Sequence, residues 1–502
     1  MERDRDAQKL AMNGGTNLTR RGILQRAGWA VAAAGIPRGL SLAAESVSPV
    51  MATLSAYMSE ARNRALPDEV IEKTKHHILD TFAAMVSGSQ LPPGRAVLHF
   101  ANTYGGERSS TVVCSKVLLG PIEAALVNGN LAHSDETDDS HAASLSHPGC
   151  DTVPAAFAAG EQFGAGGEQF LRAVALGYDV GTRVTMTLGG EKGGTGYQFT
   201  EHRSTHSVAG IFCATAAAAC MTSLNTQQMR WVLDYAAQQC SGIAIWQRDT
   251  DHIEKGFAFG GMGARSGVTA ALLVQSGWTG VDDVFSGPDN FFQAYEPKAD
   301  PSGLVDKLGQ RYEVTLTNIK KWTVGSPIQA PLDALEIMQK KHPFSADQVQ
   351  QVIVRSPASE ASVVNNRDLP DICLQYMVAV MLLDKTASFA AAHDKPRMQD
   401  PAVLRERAKV QLIPDEELER QLPRRESIVE VTLSDGTKLT ERVEAVRGTT
   451  ENPMPRAEVV SKCRDLITPV LGVATCNTFI EKILGLENVK NVRDLRPLLQ
   501  KA

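Results

Sequence analysis

Apolar positions recur at helical spacing through most of this chain. From Val50 onward, Leu54, Tyr57, Met58 and Ala61 fall on one face. After Pro67 the positions Ile71, Thr74, Ile78, Phe82 and Met85 do the same, with Asp68 and Glu69 favouring the positive end of that second helix. Gly88 and Pro92-Pro93 close it. Short segments at 95–104 and 111–113 lead to a helix near 121–131, and further helices are expected over 152–161, 168–188, 207–224, 227–239 and 260–276. The Gly-rich run 189–196 reads as a flexible loop suited to a lid or hinge.

The pattern changes after residue 294. Residues 312–316 alternate like a strand, as do 352–354, and Val429, Val431 and Leu433 alternate into a Ser434-Asp435-Gly436-Thr437 hairpin turn. Helices are expected at 326–341 and 374–383, then again at 457–467 and 473–484. The reading is a mainly α protein: a large all-helical domain (47–293), a smaller α+β lid (294–446), and C-terminal helices (447–502) returning to the first domain.

Composition narrows the class. The 502 residues are 43% hydrophobic and 22% charged, as in ordinary globular proteins, and a core of this size needs no disulfide staples. Net charge is -6 with no long Lys/Arg block, which argues against nucleic acid as a partner. Eight scattered cysteines without a C-x-x-C pair argue against a zinc-thiolate site or disulfide framework. The first 44 residues stand apart. Thr19-Arg20-Arg21-Gly22-Ile23-Leu24-Gln25, the apolar run 27–36 and the small residues around Ala43-Ala44 resemble a twin-arginine export signal. That reading places the mature protein in the periplasm without stable membrane insertion; a basic tail on a cytoplasmic protein is the alternative.

Chemistry concentrates in one stretch, Asn128 to Gly149, where His133, Asp135, Glu136, Asp138, Asp139, His141 and His147 crowd together in apolar surroundings. These residue types permit a divalent-metal site, a metal-free acid/base cluster, or a solvated loop whose carboxylates cap helices. His147-Pro148-Gly149 favours an acid/base role, because Pro148 and Gly149 constrain the backbone beside one imidazole. Arg203, Ser204, Thr205 and His206 precede a small-residue helix whose N-terminus suits a carboxylate, unless Ser204 or Thr205 merely caps it. Lys255 leads the Gly-rich run Phe257 to Gly263, either as a surface lysine or as a cation facing a buried anion.

In this order the motifs resemble the MmgE/PrpD family, which includes 2-methylcitrate dehydratases and cis-aconitate decarboxylases. The resemblance runs through Leu66-Pro67, Leu79-Asp80-Thr81, Asn128-Gly129, Glu136 to Ser140, His147-Pro148, Gly177-Tyr178-Asp179-Val180, Gly210, Ser241-Gly242, Lys255, Gly277-Trp278-Thr279-Gly280, Ile319-Lys320-Lys321-Trp322 and Tyr376. It implies a homodimer whose active site lies between the two domains, acting on small di- or tricarboxylates without a metal or organic cofactor. The roles it implies are His147 and His206 as acid/base, Glu136 and Asp139 as orienting or protonating groups, and Ser140, Arg203, Lys255, Lys320 and Tyr376 as substrate-binding groups. Dehydration of a 2-methylcitrate-like hydroxy acid is the expected reaction. The alternatives are cis-aconitate-type decarboxylation, isomerisation or epimerisation, and a non-catalytic carboxylate-binding protein. The chain departs from the family pattern at Glu136, Ser140, His206, Ala258 and Gly325, and a reach altered by about 1 Å can cost ~10²-fold in a positioned reaction.

Overall fold

The computed structural model describes residues 47–103, 108–189 and 202–501. The expected export signal and nearly all of the 189–196 loop lie outside these residues. Within them, the longer helices of the first half are α1 (Pro49–Ala61), α2 (Asp68–Gly88), α3 (Pro92–Thr103), α4 (Pro121–Ala132), α5 (Pro148–Phe163), α6 (Gly167–Leu188), α7 (Thr205–Met221), α8 (Thr226–Gln239) and α9 (Ile253–Gln275). Their starts are chemically marked. Ser48 and Asn225 accept backbone N–H groups as caps of α1 and α8, and Pro occupies the first turn of α1, α4 and α5.

The small-residue helix α7 is the centre of the first core, with α5, α6, α8 and α9 packed around it. Its Ala216 to Ala219 run lets these neighbours approach closely, and every one of those side chains is fully buried. α9 is apolar and long enough to span a bilayer, but its apolar window is 67% buried inside this core. It also contains a π turn at Phe257–Gly261, an extra-residue bulge of the kind found at functional sites. There Gly260 crosses Gly129 of α4 so closely that a Cβ on Gly260 would lie 2.1 Å from the Gly129 carbonyl oxygen.

A second, separate core begins at Trp322 and ends at Val446. It holds a four-stranded sheet with spatial order β4-β3-β5-β6, numbered after a two-stranded ribbon of β1 (Ser110–Thr111) and β2 (Leu118–Leu119). Its strands are β3 (Val349–Pro357), β4 (Val410–Asp415), β5 (Ser427–Leu433) and β6 (Lys438–Val443). β4 runs parallel to β3, and the other pairs are antiparallel. α10 (Ser326–Lys341) packs on β5 and β6, and α11 (Leu374–Asp384) packs on α10 and β4. The chain then returns: α12 (Arg456–Leu471) and α13 (Val473–Leu484) pack on α2, and residues from Met454 to Leu499 belong to the first core.

Two expectations differ from the structure and one strand was missed. The lid core starts near 322, not 294, because Phe291, Phe292, Leu304, Tyr312, Val314 and Ile319 all pack into the helical core. Residues 312–316 are not a strand; Glu313–Leu316 forms a 3₁₀ turn. Tyr312, Glu313 and Val314 are all buried there, and Asp179 Oδ1 accepts the Glu313 N–H at 2.7 Å, so no strand partner is needed. Strand β4 escaped prediction because it is an edge strand carrying Pro414 and lacks alternation.

The Gly129–Gly260 crossing supplies the first test. Gly260→Ala should destabilise the protein by about 2–3 kcal/mol, since a backbone carbonyl cannot yield to the added methyl. An unchanged thermal midpoint would show that the crossing is looser than described.

Candidate active site

α4 ends at His133 and runs into an acidic loop that is buried, not solvated: Asp135, Glu136, Thr137, Asp138 and Asp139 are each at most 4% exposed. Carboxylates in such a place must be paired. Asp135 accepts the backbone N–H (3.0 Å) and hydroxyl of Thr137, and forms an ion pair with His393 Nε2 at 2.8 Å. Asp138 accepts from His133 Nδ1 at 2.9 Å. Asp139 pairs with His77 Nδ1 at 2.8 Å and accepts from the Tyr178 hydroxyl and the Gly149 N–H. The glycine of His147-Pro148-Gly149 is required here, because a Cβ would meet Thr81, Tyr178 and Asp139 at 2.7–2.9 Å. Behind the loop, Lys462 of α12 donates to the Thr137 carbonyl at 2.9 Å and pairs with Asp80 at 2.7 Å.

Glu136 is clasped by two lysines. Lys255, in the first turn of α9, pairs with Oε1. Lys320 donates to the Glu136 carbonyl at 2.8 Å and lies 3.4 Å from Oε2. Lys320 is placed by the linker between the two cores: Ser140 and Asn318 exchange backbone hydrogen bonds of 3.0 and 2.8 Å, and the Ile319 N–H reaches the Gly448 carbonyl. Burial alone would raise the Glu136 pKa, but Lys255 and Lys320 outweigh it and hold the carboxyl well below its usual range. Glu136 is therefore an ionised anchor and not a proton donor.

Four imidazoles gather beside this clasp around Phe259 of the π turn. His206 stacks on Phe259 at 3.9 Å between centroids and His133 at 4.6 Å, while His147 lies 5.7 Å away. His147 is 5.1 Å from His206, and His252 is 5.3 Å from His133. His147 caps α5, with Nδ1 3.3 Å from Asp138 Oδ1 but without hydrogen-bond alignment. Burial lowers the pKa of His147, against the opposing pull of Asp138. Burial, with His147 and Lys255 nearby, pushes His206 well below the ordinary imidazole value, and burial with Lys255 and His133 takes His252 down to about 3. Asp138 behaves oppositely: burial would raise it, but His133 and His147 hold it well below the usual range.

Several of these groups, though not His133 or Asp138, face a cleft of about 530 Å³ between the two cores. Glu136, Ser140, His147, His206 and Lys255 line it from the helical side, with Trp246, His252 and Phe259; the lid contributes Gly325, Ser326, Leu369, Ile372 and Arg425, among others. Lys320 lines the adjoining cavity of about 610 Å³, which shares Ser140 and His141 with the first.

Three expected site residues lie elsewhere. Asp139 is committed to His77, Tyr178 and Gly149 behind the wall, so it positions the loop. The Tyr376 hydroxyl donates to the Ala391 carbonyl at 2.7 Å inside the lid core. Arg203 donates to the Ala294 carbonyl and lies 4.6 Å over the Tyr295 ring, while Ser204 caps α7 by accepting the Ser207 N–H. Asp138, His133, His252 and Phe259 were not singled out for the site; only the crowding around Asn128 to Gly149 signalled the first two. His133, Asp138 and His147, or His133, Glu136 and His252, bring potential metal-ligand atoms within 4.8 Å of one another. In the second triad Glu136 already pairs with Lys255 and Lys320, which oppose a second cation, and in the first Asp138 lies 3.8 Å from the Lys320 ammonium.

Removing the anchor tests this arrangement. Glu136→Gln leaves two ammonium groups buried without their counter-charge and should cost about 3–5 kcal/mol, read as a lowered thermal midpoint. Unchanged stability would show that the clasp does not hold the wall.

Comparison with known proteins places this geometry in context. Residues 52–303 match the MmgE/PrpD N-terminal domain and 322–488 the MmgE/PrpD C-terminal domain. The chain is 26% identical over 323 residues to the cis-aconitate decarboxylase-like protein oryM of Aspergillus oryzae, covering 60% of this chain and just under two thirds (64%) of that protein. It is 23% identical to the cis-aconitate decarboxylase of Aspergillus terreus over 90% of this chain and 96% of that one. The human cis-aconitate decarboxylase is 26% identical, over 87% and 91% respectively. Both domain matches flank the observed change of core near residue 322, and together they span most of the sequence: the chain belongs to the MmgE/PrpD family, whose relatives here are lyases.

Proposed function

We propose that this protein is a lyase that removes water from a 2-methylcitrate-like hydroxy acid by proton transfer at the carbon beside a carboxylate. The observation that carries the proposal is the cleft that brings His147 and His206, both with imidazole pKa values lowered by burial, beside Lys255, with Lys320 reaching the same Glu136 from the adjoining cavity. A neutral His147 is a base, and Asp138 stands behind its Nδ1 to favour the imidazolium once a proton arrives. Lys255 and Lys320 would offset the charge that grows on the substrate carboxylate as the C–H bond breaks. Ser140 and His206 complete the wall, and Glu136 fixes the lysines.

Cis-aconitate-type decarboxylation is the second reading, favoured by the names of the relatives. A route that begins by protonating carbon needs an acid, and imidazoles held neutral supply bases first. Incubating the full-length protein with 2-methylcitrate, citrate and cis-aconitate, and following products by NMR, separates loss of water from loss of carbon dioxide. Absence of turnover with every acid would overturn the proposal.

His147→Ala should lower kcat/KM by about 10²–10⁴-fold. The pH profile has a definite sign. Activity needs the unprotonated base, whose pKa lies below the ordinary 6.5, so kcat/KM should hold its plateau below pH 6.5 and fall only at more acid pH. An acid limb centred above 6.5 would exclude His147 as the base.

A further inference from the structure

We propose that the His393–Asp135 ion pair is a pH-operated latch, holding the lid against the helical domain and releasing it when the imidazole loses its proton. The two partners belong to different cores. His393 closes the short helical turn Phe389–Ala392, whose Ala391 and Ala392 are buried in the lid core. Asp135 lies on the buried loop after α4. The turn is fastened within the lid: the Ser388 hydroxyl accepts the Ala391 N–H, and the Tyr376 hydroxyl of α11 donates to the Ala391 carbonyl at 2.7 Å. His393 is therefore carried by the lid and reaches across the seam to the helical wall.

Both ring nitrogens stand beside acceptors. Nδ1 is 2.7 Å from the Phe389 carbonyl, and Nε2 is 2.8 Å from Asp135 Oδ2. A neutral imidazole has one N–H and can serve one of them; the imidazolium has a proton for each. Asp135 is 2% exposed, and its hydrogen bonds from the Thr137 N–H and hydroxyl bring no charge. Among the described residues, His393 is the cation that pairs with it. The charged groups acting on the ring are Asp135 from the loop and the buried Asp371 from the lid, while the Phe389 ring covers it at 4.2 Å. On the ring's own turn, Asp394 accepts the Arg397 N–H and Lys395 pairs with Asp368 at 3.2 Å. Burial alone would lower the His393 pKa, but Asp135, Asp371 and the Phe389 carbonyl outweigh it and raise the value.

The sign follows. With the lid open, His393 meets water and titrates near its ordinary value of about 6.5; closed, it holds its proton to higher pH. The latch is thus fully engaged below about pH 6.5 and is lost as pH rises through the closed-state value. A neutral ring then leaves Asp135 buried without a counter-charge, a strain that opening to water relieves. Glu136 and Ile372, the sequence neighbours of Asp135 and Asp371, both line the cleft, so release at this seam exposes the cleft itself. The latch does not depend on which reaction the cleft performs.

Acrylamide quenching of Trp246, read as the difference between the full-length protein and its Trp246→Phe variant, reports access to the cleft without turnover. Quenching should rise several-fold between about pH 6 and about pH 9, with a midpoint above 6.5. His393→Gln cannot titrate and should give the high, alkaline level at every pH. His393→Lys keeps its charge across this range and should hold the low level throughout, which also guards against a glutamine variant that fails to fold. Quenching of the unsubstituted protein that does not change with pH would overturn the latch. So would an unaltered pH-dependent rise in the lysine variant.

Discussion

The Glu136 carboxylate between Lys255 and Lys320 is the interaction on which the rest depends. Its three charges come from three places: the loop after α4, the first turn of α9, and the linker joining the two cores. None is more than 9% exposed, so each requires the others. The clasp ties the linker, and with it the lid, to the same wall that carries the imidazoles. The Asp135–His393 ion pair and the Ser140–Asn318 backbone bridge hold the two cores at neighbouring points. The cleft is thus bounded by charge pairs that are costly to break, while its interior remains open.

Charge within this wall is nearly balanced before any ligand arrives. Lys255 and Lys320 stand against Glu136 and Asp138, and burial keeps His147, His206 and His252 neutral. The carboxylate ligand proposed above would bring negative charge into that balance. Nearby negative charge favours the protonated imidazole, so such a ligand would strengthen His147 in its proposed role as base. Ionised Glu136 holds both lysines at this wall.

Much of this was legible in the sequence because the signals were local. Apolar periodicity and capping residues located the helices, and α10 and α13 begin and end where the pattern does. The crowding of imidazoles and carboxylates between His133 and His147 located one wall of the site. What escaped depended on distant partners. Tyr312 to Leu316 alternates like a strand, but Asp179, over 130 residues earlier, takes its backbone N–H and leaves a 3₁₀ turn. Arg203 and Tyr376 are chemically suited to carboxylates, yet backbone carbonyls at Ala294 and Ala391 use them. No spacing rule reveals such commitments, since they arise only when separate helices meet.

The departures from the family motifs look different once the rings are placed in space. Ala258 stands where a histidine often follows the lysine, but His252, three residues before Lys255, brings an imidazole beside His133. His206 comes from a shifted position on α7, yet it stacks squarely on Phe259. Phe259 is fixed by the π turn, and that turn is fixed by the contact between Gly129 and Gly260. Around this one ring, side chains from α4, α5, α7 and the start of α9 converge, whatever their spacing in the chain. The constraint acts on imidazoles around an apolar hub next to paired lysines, and several sequence arrangements can satisfy it. A motif displaced in sequence need not be a function lost, because the clasp and the ring define the site before any single histidine does.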